Sequence, residues 1–133
     1  MEISSFFAAL KPYLGAFVER DAATRRALLE QSLSPSAAIC GPTRVFTGYA
    51  EISEKIDVFQ KHWPLCRLVA ASGLCGFGNA CHFAMAIVRA DGSIVASGHA
   101  VVELAVDGRI ERVLAFWGPT PPLPDEWPVR LSA

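Results

Sequence analysis

The chain has 133 residues, 52% of them hydrophobic and 19% charged, and its 12 Lys and Arg against 13 Asp and Glu leave a formal net charge of −1. That length suits one domain, and surface scaling for its size buries about two-thirds of the unfolded surface, enough for a core without staples. Near-neutral charge argues against nucleic acid, no apolar run reaches the ~18 residues of a membrane span, and the Met1-Glu2 start lacks the basic flank of a secretory leader. A cytoplasmic protein with neither nucleic acid nor membrane as partner is expected.

The predicted elements run helices first, then strands. Residues 4–20 place Phe7, Leu10, Leu14 and Phe17 at helical spacing, with Tyr13 beside that stripe. Pro12 interrupts it, so a kink, or a helix starting near Lys11, is expected. Asp21 before an Ala- and Leu-rich run to Gln31 reads as an N-cap and a second helix. Arg20, Arg25 and Arg26 fall on what reads as its solvated face. Ser34-Pro35-Ser36 ends that helix, Ala37 to Cys40 reads as a short strand, and Gly41-Pro42 closes it. A third helix follows Gly48, with Ile52, Ile56, Phe59 and Trp63 on one stripe and Pro64 as its stop. Four strands are expected over residues 65–76, 79–90, 93–106 and 109–117, with Asp91-Gly92 and Asp107-Gly108 as tight turns between them. Long strands on short turns make an antiparallel meander, and the helices must cover one of its faces. The domain is therefore 1–118, and the proline-rich stretch 119–133 is an irregular tail that Trp127 would tuck down.

Cys40, Cys66, Cys75 and Cys81 form no C-x-x-C pair, so no metal site is expected. Cys75 and Cys81 flank a Gly-Phe-Gly-Asn turn and could face each other across a hairpin. Reduced thiols acting as small hydrophobes are the expectation.

Three helices, a third helix led by glycine and a closing meander resemble the nuclear transport factor 2-like superfamily, most of all its SnoaL-like group, over residues 5–118. The local marks are Arg20-Asp21, Gly48 and the run VVELAVDGRIERVLAFWG. The resemblance implies an α+β fold with three N-terminal helices packed on a strongly curved antiparallel sheet, a cone-shaped, cystatin-like half-barrel. It also implies a homodimer. These marks identify a fold, not a chemistry.

The ketosteroid isomerases of that superfamily need a carboxylate base, a Tyr and a protonated Asp. Tyr13, eight residues before Asp21, matches the spacing of the isomerase Tyr. The base falls in an Asp-Pro pair in those enzymes, and here the pair is Gly41-Pro42. The oxyanion Asp falls nine residues before the basic residue of the last turn, a position held here by Ala100. Ketosteroid isomerase activity is therefore not expected.

Strand alternation then predicts the lining of the cone. If Ala100 points inward, so do Gly98, Val102 and Leu104. Cys81, Phe83, Met85 and Ile87 follow on the preceding strand, and Val113, Ala115 and Trp117 on the last. With Phe17 and Trp63, these residues form an apolar ligand pocket without Lys or Arg, suited to a neutral lipophilic or aromatic molecule and closed to carboxylates. His62 falls at the mouth. Tyr13 is the candidate catalytic or hydrogen-bonding group, either donating to a ligand or sitting in the core. His82, His99 and Glu103 point outward, and Asp21 is a cap. Glu111 shares the inward parity of Val113 but follows a turn. The outward set Ala84, Ala86, Val88, Val101, Leu114 and Phe116 is too apolar for water and predicts a homodimer through the convex face.

Three readings stay open: a binding module, an isomerase, cyclase or hydrolase using Tyr13, and a dimeric interaction domain whose pocket is filled by its own side chains. No cofactor is expected in any of them.

Overall fold

The computed structural model describes residues 2–127. Three helices precede most of the sheet: α1 (Ile3–Ala16), α2 (Ala22–Ser32) and α3 (Gly48–His62). The strands are β1 (Leu33–Cys40), β2 (Val45–Thr47), β3 (Arg67–Ala70), β4 (Cys75–Phe77), β5 (Ala80–Val88), β6 (Ile94–Leu104) and β7 (Ile110–Trp117). They form one sheet in the order β2-β1-β7-β6-β5-β3, with β4 also paired to β5.

The meander β5-β6-β7 is antiparallel, but the sheet as a whole is mixed. β1 lies parallel to β7, which corrects the expectation of a purely antiparallel sheet. β1 reaches that edge from α2, and its register slips between Leu33 and Ala38. The irregular stretch admits Pro35, which cannot donate to a regular ladder. The two predicted turns hold, with Gly92 and Gly108 at φ of 87° and 86°.

α1 runs through Pro12 without restarting at Lys11. Its buried stripe is Phe6, Leu10, Tyr13 and Phe17, whereas Phe7 is exposed. The predicted stripe holds at Leu10 and Phe17, with Leu14 packed beside it, and fails at Phe7, whose place Phe6 takes. Asp21 caps α2, its Oδ2 accepting from the Thr24 N–H at 2.9 Å and the Thr24 hydroxyl at 2.7 Å. Capping holds the Asp21 carboxyl below its ordinary range.

Arg25 departs from the solvated reading and is 3% exposed. Its guanidinium donates to Asp57 Oδ1 at 2.7 Å, Gln60 Oε1 at 3.0 Å and the Glu19 carbonyl at 3.0 Å. Gln60 in turn donates to the carbonyls of Phe17 and Glu19. One buried cation thus ties α2, α3 and the loop after α1 together.

The core lies between the helices and the concave face of the sheet, around Phe6, Leu29, Ile39, Ile52, Ile56, Val102, Leu104 and Ile110. Glu111, read as inward, is exposed. Leu104 pairs with Ile110 and Glu103 with Arg112, so Glu111 is the extra residue of a bulge and Ile110 takes the core position. Residues 119–127 are irregular and exposed, and Trp127 is not tucked down. The remainder of the predicted tail lies outside the described residues.

Candidate functional site

Across β6 and its neighbours, Phe83 pairs with Ala100 and Ala100 with Ala115, while Met85 pairs with Gly98 and Gly98 with Trp117. Large side chains on β5 and at the end of β7 therefore flank a central row of small ones, and the inner face is hollow there. Helices α1 and α3 roof this hollow and leave a cavity of about 480 Å³. That volume falls in the range of roughly 300–1,000 Å³ typical of small-molecule sites.

The sheet contributes Ile39, Phe46, Leu68, Phe83, Met85, Ala100, Val102, Val113, Ala115 and Trp117 to its wall. α1 contributes Tyr13, Leu14 and Phe17, and α3 contributes Glu54, Lys55, Val58, Phe59 and His62, followed by Trp63. Arg44, just before β2, completes the rim. Tyr13 packs edge-on against Phe17 at 5.3 Å, and Phe17 against Phe59 at 5.2 Å. These three rings make one rigid aromatic wall.

Tyr13 is 4% exposed. Burial pushes its hydroxyl well above the usual tyrosine range. Among the described residues, no side-chain oxygen is both sealed from solvent and unpartnered. The phenol at the cavity wall thus stays protonated, a donor or weak acid and not a base.

Most residues that alternation placed in the lining are at the wall, but Cys81, Ile87, Gly98 and Leu104 are not. Cys81 pairs with Gly76, where a Cβ would meet Ile3 at 3.2 Å and Phe6 at 3.6 Å, so the start of α1 covers this end of β5. Burial pushes the Cys81 thiol up to about 11. Gly98 has no side chain to present, and a Cβ there would meet the Phe116 carbonyl oxygen at 2.3 Å. Trp117, expected to be buried, sits at the rim and is 37% exposed. His62 is at the mouth, its ring edge-on to Trp63 at 4.6 Å.

His82 and His99 lie together on the convex face, exposed, with ring centroids 5.4 Å apart. Glu103 is paired there with Arg112 at 2.5 Å. All four cysteines are free, and Cys75 faces His82 across the ladder, not Cys81. No group of three or more His, Cys, Asp and Glu among the described residues is arranged to hold a metal ion.

The expectation of a lining without cations fails. Lys55 and Arg44 both line the cavity and both lie on the ring of Phe46, with Arg44 Cζ at 4.4 Å and Lys55 Nζ at 5.3 Å from its centroid. Burial lowers the Lys55 ammonium from its ordinary range. These residues were missed because alternation was applied to the strands alone. On α3 the stripe Ile52 and Ile56 faces the core. Lys55, Phe59 and His62, at i, i+4 and i+7, form a second stripe one position over, and that spacing was readable.

No family model matches the chain, and no curated protein does. The solved structures do. A proposed isomerase of the SnoaL-like family from Agrobacterium tumefaciens is 29% identical, with 87% of this chain and 99% of that one covered and a TM-score of 0.77. A proposed polyketide cyclase from Sinorhizobium meliloti is 17% identical, covering 86% and 99%, with a TM-score of 0.63. A protein of unknown function with a cystatin-like fold from Methylobium petroleophilum is 14% identical, covering 97% and 84%, with a TM-score of 0.68. The curved sheet under three helices is thus a cone-shaped, cystatin-like α+β fold. These likenesses support the nuclear transport factor 2-like superfamily and, within it, the SnoaL-like group. No helix among the described residues is long and apolar enough to cross a membrane.

Proposed function

We propose that this chain is a small-molecule pocket protein that holds a ligand with a lipophilic or aromatic body inside the cone. The observation that carries this reading is the cavity itself, walled by Phe17, Phe59, Phe83, Met85 and Trp117, with a protonated phenol, Tyr13, at its side. An apolar body gains roughly 25 cal/mol per Å² buried there, so about 200 Å² gives on the order of 5 kcal/mol before entropic losses. The test is a calorimetric titration with an alkyl phenone, repeated with Tyr13→Phe. Binding in the micromolar range, weakened about tenfold in Tyr13→Phe, supports the pocket and the donor together. Absence of binding by this and related apolar ligands would remove the reading.

A second reading is an enzyme of isomerase, cyclase or hydrolase type in which Tyr13 donates to a carbonyl as negative charge develops on it. The likeness to the proposed Agrobacterium isomerase favours it. Ketosteroid isomerisation is not the reaction proposed, since Ala100 presents only a methyl group to the cavity and Gly41 lies outside its wall. A homodimer through the convex sheet face is part of the same proposal.

A further inference from the structure

Two cations share the Phe46 ring at the cavity wall, and their counter-charges are unequal. Arg44 reaches Glu51 at 3.9 Å, and the same Glu51 oxygen accepts from the Thr47 N–H at 3.1 Å, which ties it to the start of α3. Among the described residues, Lys55 has no carboxylate within ion-pairing distance. Glu54, next to it, is exposed and pairs with neither cation. The Lys55 ammonium is thus half-buried against an aromatic face with a second cation on the same ring. Partial burial of a charge without a counter-ion costs stability. The chain meets this charge with the face of the Phe46 ring and with no carboxylate, and the core stripe of α3, Ile52 and Ile56, does not include Lys55.

We infer that the ligand of this cavity is a monoanion of the carboxylate class, its charged group held by Lys55 and its apolar body lying on Phe83, Met85 and Trp117. This rests on the pocket reading above and names the chemistry of its ligand. A carboxylate supplies the counter-charge that the chain withholds from Lys55, in a charge-assisted hydrogen bond within a weakly polar wall. A dianionic phosphate is a poorer match, because Arg44 is already engaged and a second negative charge would lack a partner. The same contact replaces the neutral ligand expected from a lining without cations.

The experiment compares 4-butylbenzoate with 4-butylbenzamide by isothermal titration at neutral pH, in the unmodified chain, Lys55→Met and Lys55→Arg. The two probes share an apolar body and differ in charge. The unmodified chain should prefer the benzoate by about tenfold or more. In Lys55→Met the two should bind within about twofold of each other, and Lys55→Arg should restore the preference. Equal affinities in the unmodified chain overturn the inference and leave the pocket reading standing. A preference that survives in Lys55→Met also overturns it, because the anion is then held elsewhere. Binding of neither probe removes the pocket reading and the inference with it.

Discussion

Lys55, Tyr13 and Cys81 are all placed where burial disfavours their charged forms, and the sign of the consequence differs among them. Lys55 is a base whose folded value is lowered from 10.5. The folded state carries its penalty at neutral pH and is relieved as pH rises through that lowered value toward 10.5. Cys81 is an acid raised from 9.0 to about 11. Its contribution is whole below pH 9 and is lost as pH climbs through about 11. Tyr13 acts in the same direction from about pH 10 upward. Lys55→Met should therefore raise the melting temperature at pH 7, by about 2–5 °C. The gain over the unmodified chain should shrink as pH approaches 10.5. Thermal melts of both chains across that range check it, and a lower melting temperature for Lys55→Met at pH 7 would show that the ammonium is satisfied where it lies. A residue whose removal stabilises the fold is held there for something other than folding.

At the scale of elements, the sheet was legible where its period was unbroken. β5 and β6 keep an unbroken register from Ala80 to Ile87 and from Ala96 to Glu103, as does β7 from Arg112 onward, and so the inward places of Phe83, Met85, Ala100 and Val113 could be read directly. The reading failed where one extra residue enters. The bulge at Glu111 exchanges its place with Ile110, and nothing in a single sequence marks it. The parallel β1–β7 pairing was hidden for a similar reason, because β1 is regular only over its last few residues. Helices posed the opposite problem: period without phase. On α1, Phe6 and Phe7 fit equally well, and only packing against β4 decides for Phe6. On α3 the residues that face the cavity lie beside the core stripe, so the cationic part of the site went unread while its greasy floor was plain. Gly98 gives the register a direct test. A Cβ there lies 2.3 Å from the Phe116 carbonyl oxygen and 3.0 Å from the Trp117 α-carbon, both backbone atoms that cannot swing aside. Gly98→Ala should cost about 1–3 kcal/mol in urea unfolding, and it should shift Trp117 emission by forcing β6 and β7 apart. A neutral substitution would mean that the two strands are not in this register.

The whole molecule presents two unlike surfaces to its surroundings, and only the concave one is covered by its own helices. On the convex side Phe116 is 59% exposed. Leu114 and Val101, partners across β6 and β7, are half-buried, as is Ala84, with His82 and His99 beside them. Ala86 and Val88, of the same outward parity, are already buried although they stand apart from the main core cluster. Residues 119–127 do not blanket this face, since all are exposed, although Pro119 to Pro121 border a shallow groove with Leu114 and Phe116. An antiparallel sheet with one face open to water ordinarily carries polar residues there. In the proposed homodimer a two-fold mate would offer the same apolar strip in return, and small Ala84 would let the sheets approach. Such a pairing would have to bury at least about 1,000 Å² in total to be stable. Light scattering at micromolar concentration should then give twice the chain mass. Phe116→Glu, which places a charge in the centre of the strip, should bring it down to one chain mass while leaving the cavity and its ligand affinity in place. A monomer in the unmodified chain, or a dimer untouched by Phe116→Glu, would put the contact elsewhere and leave the convex strip without a partner.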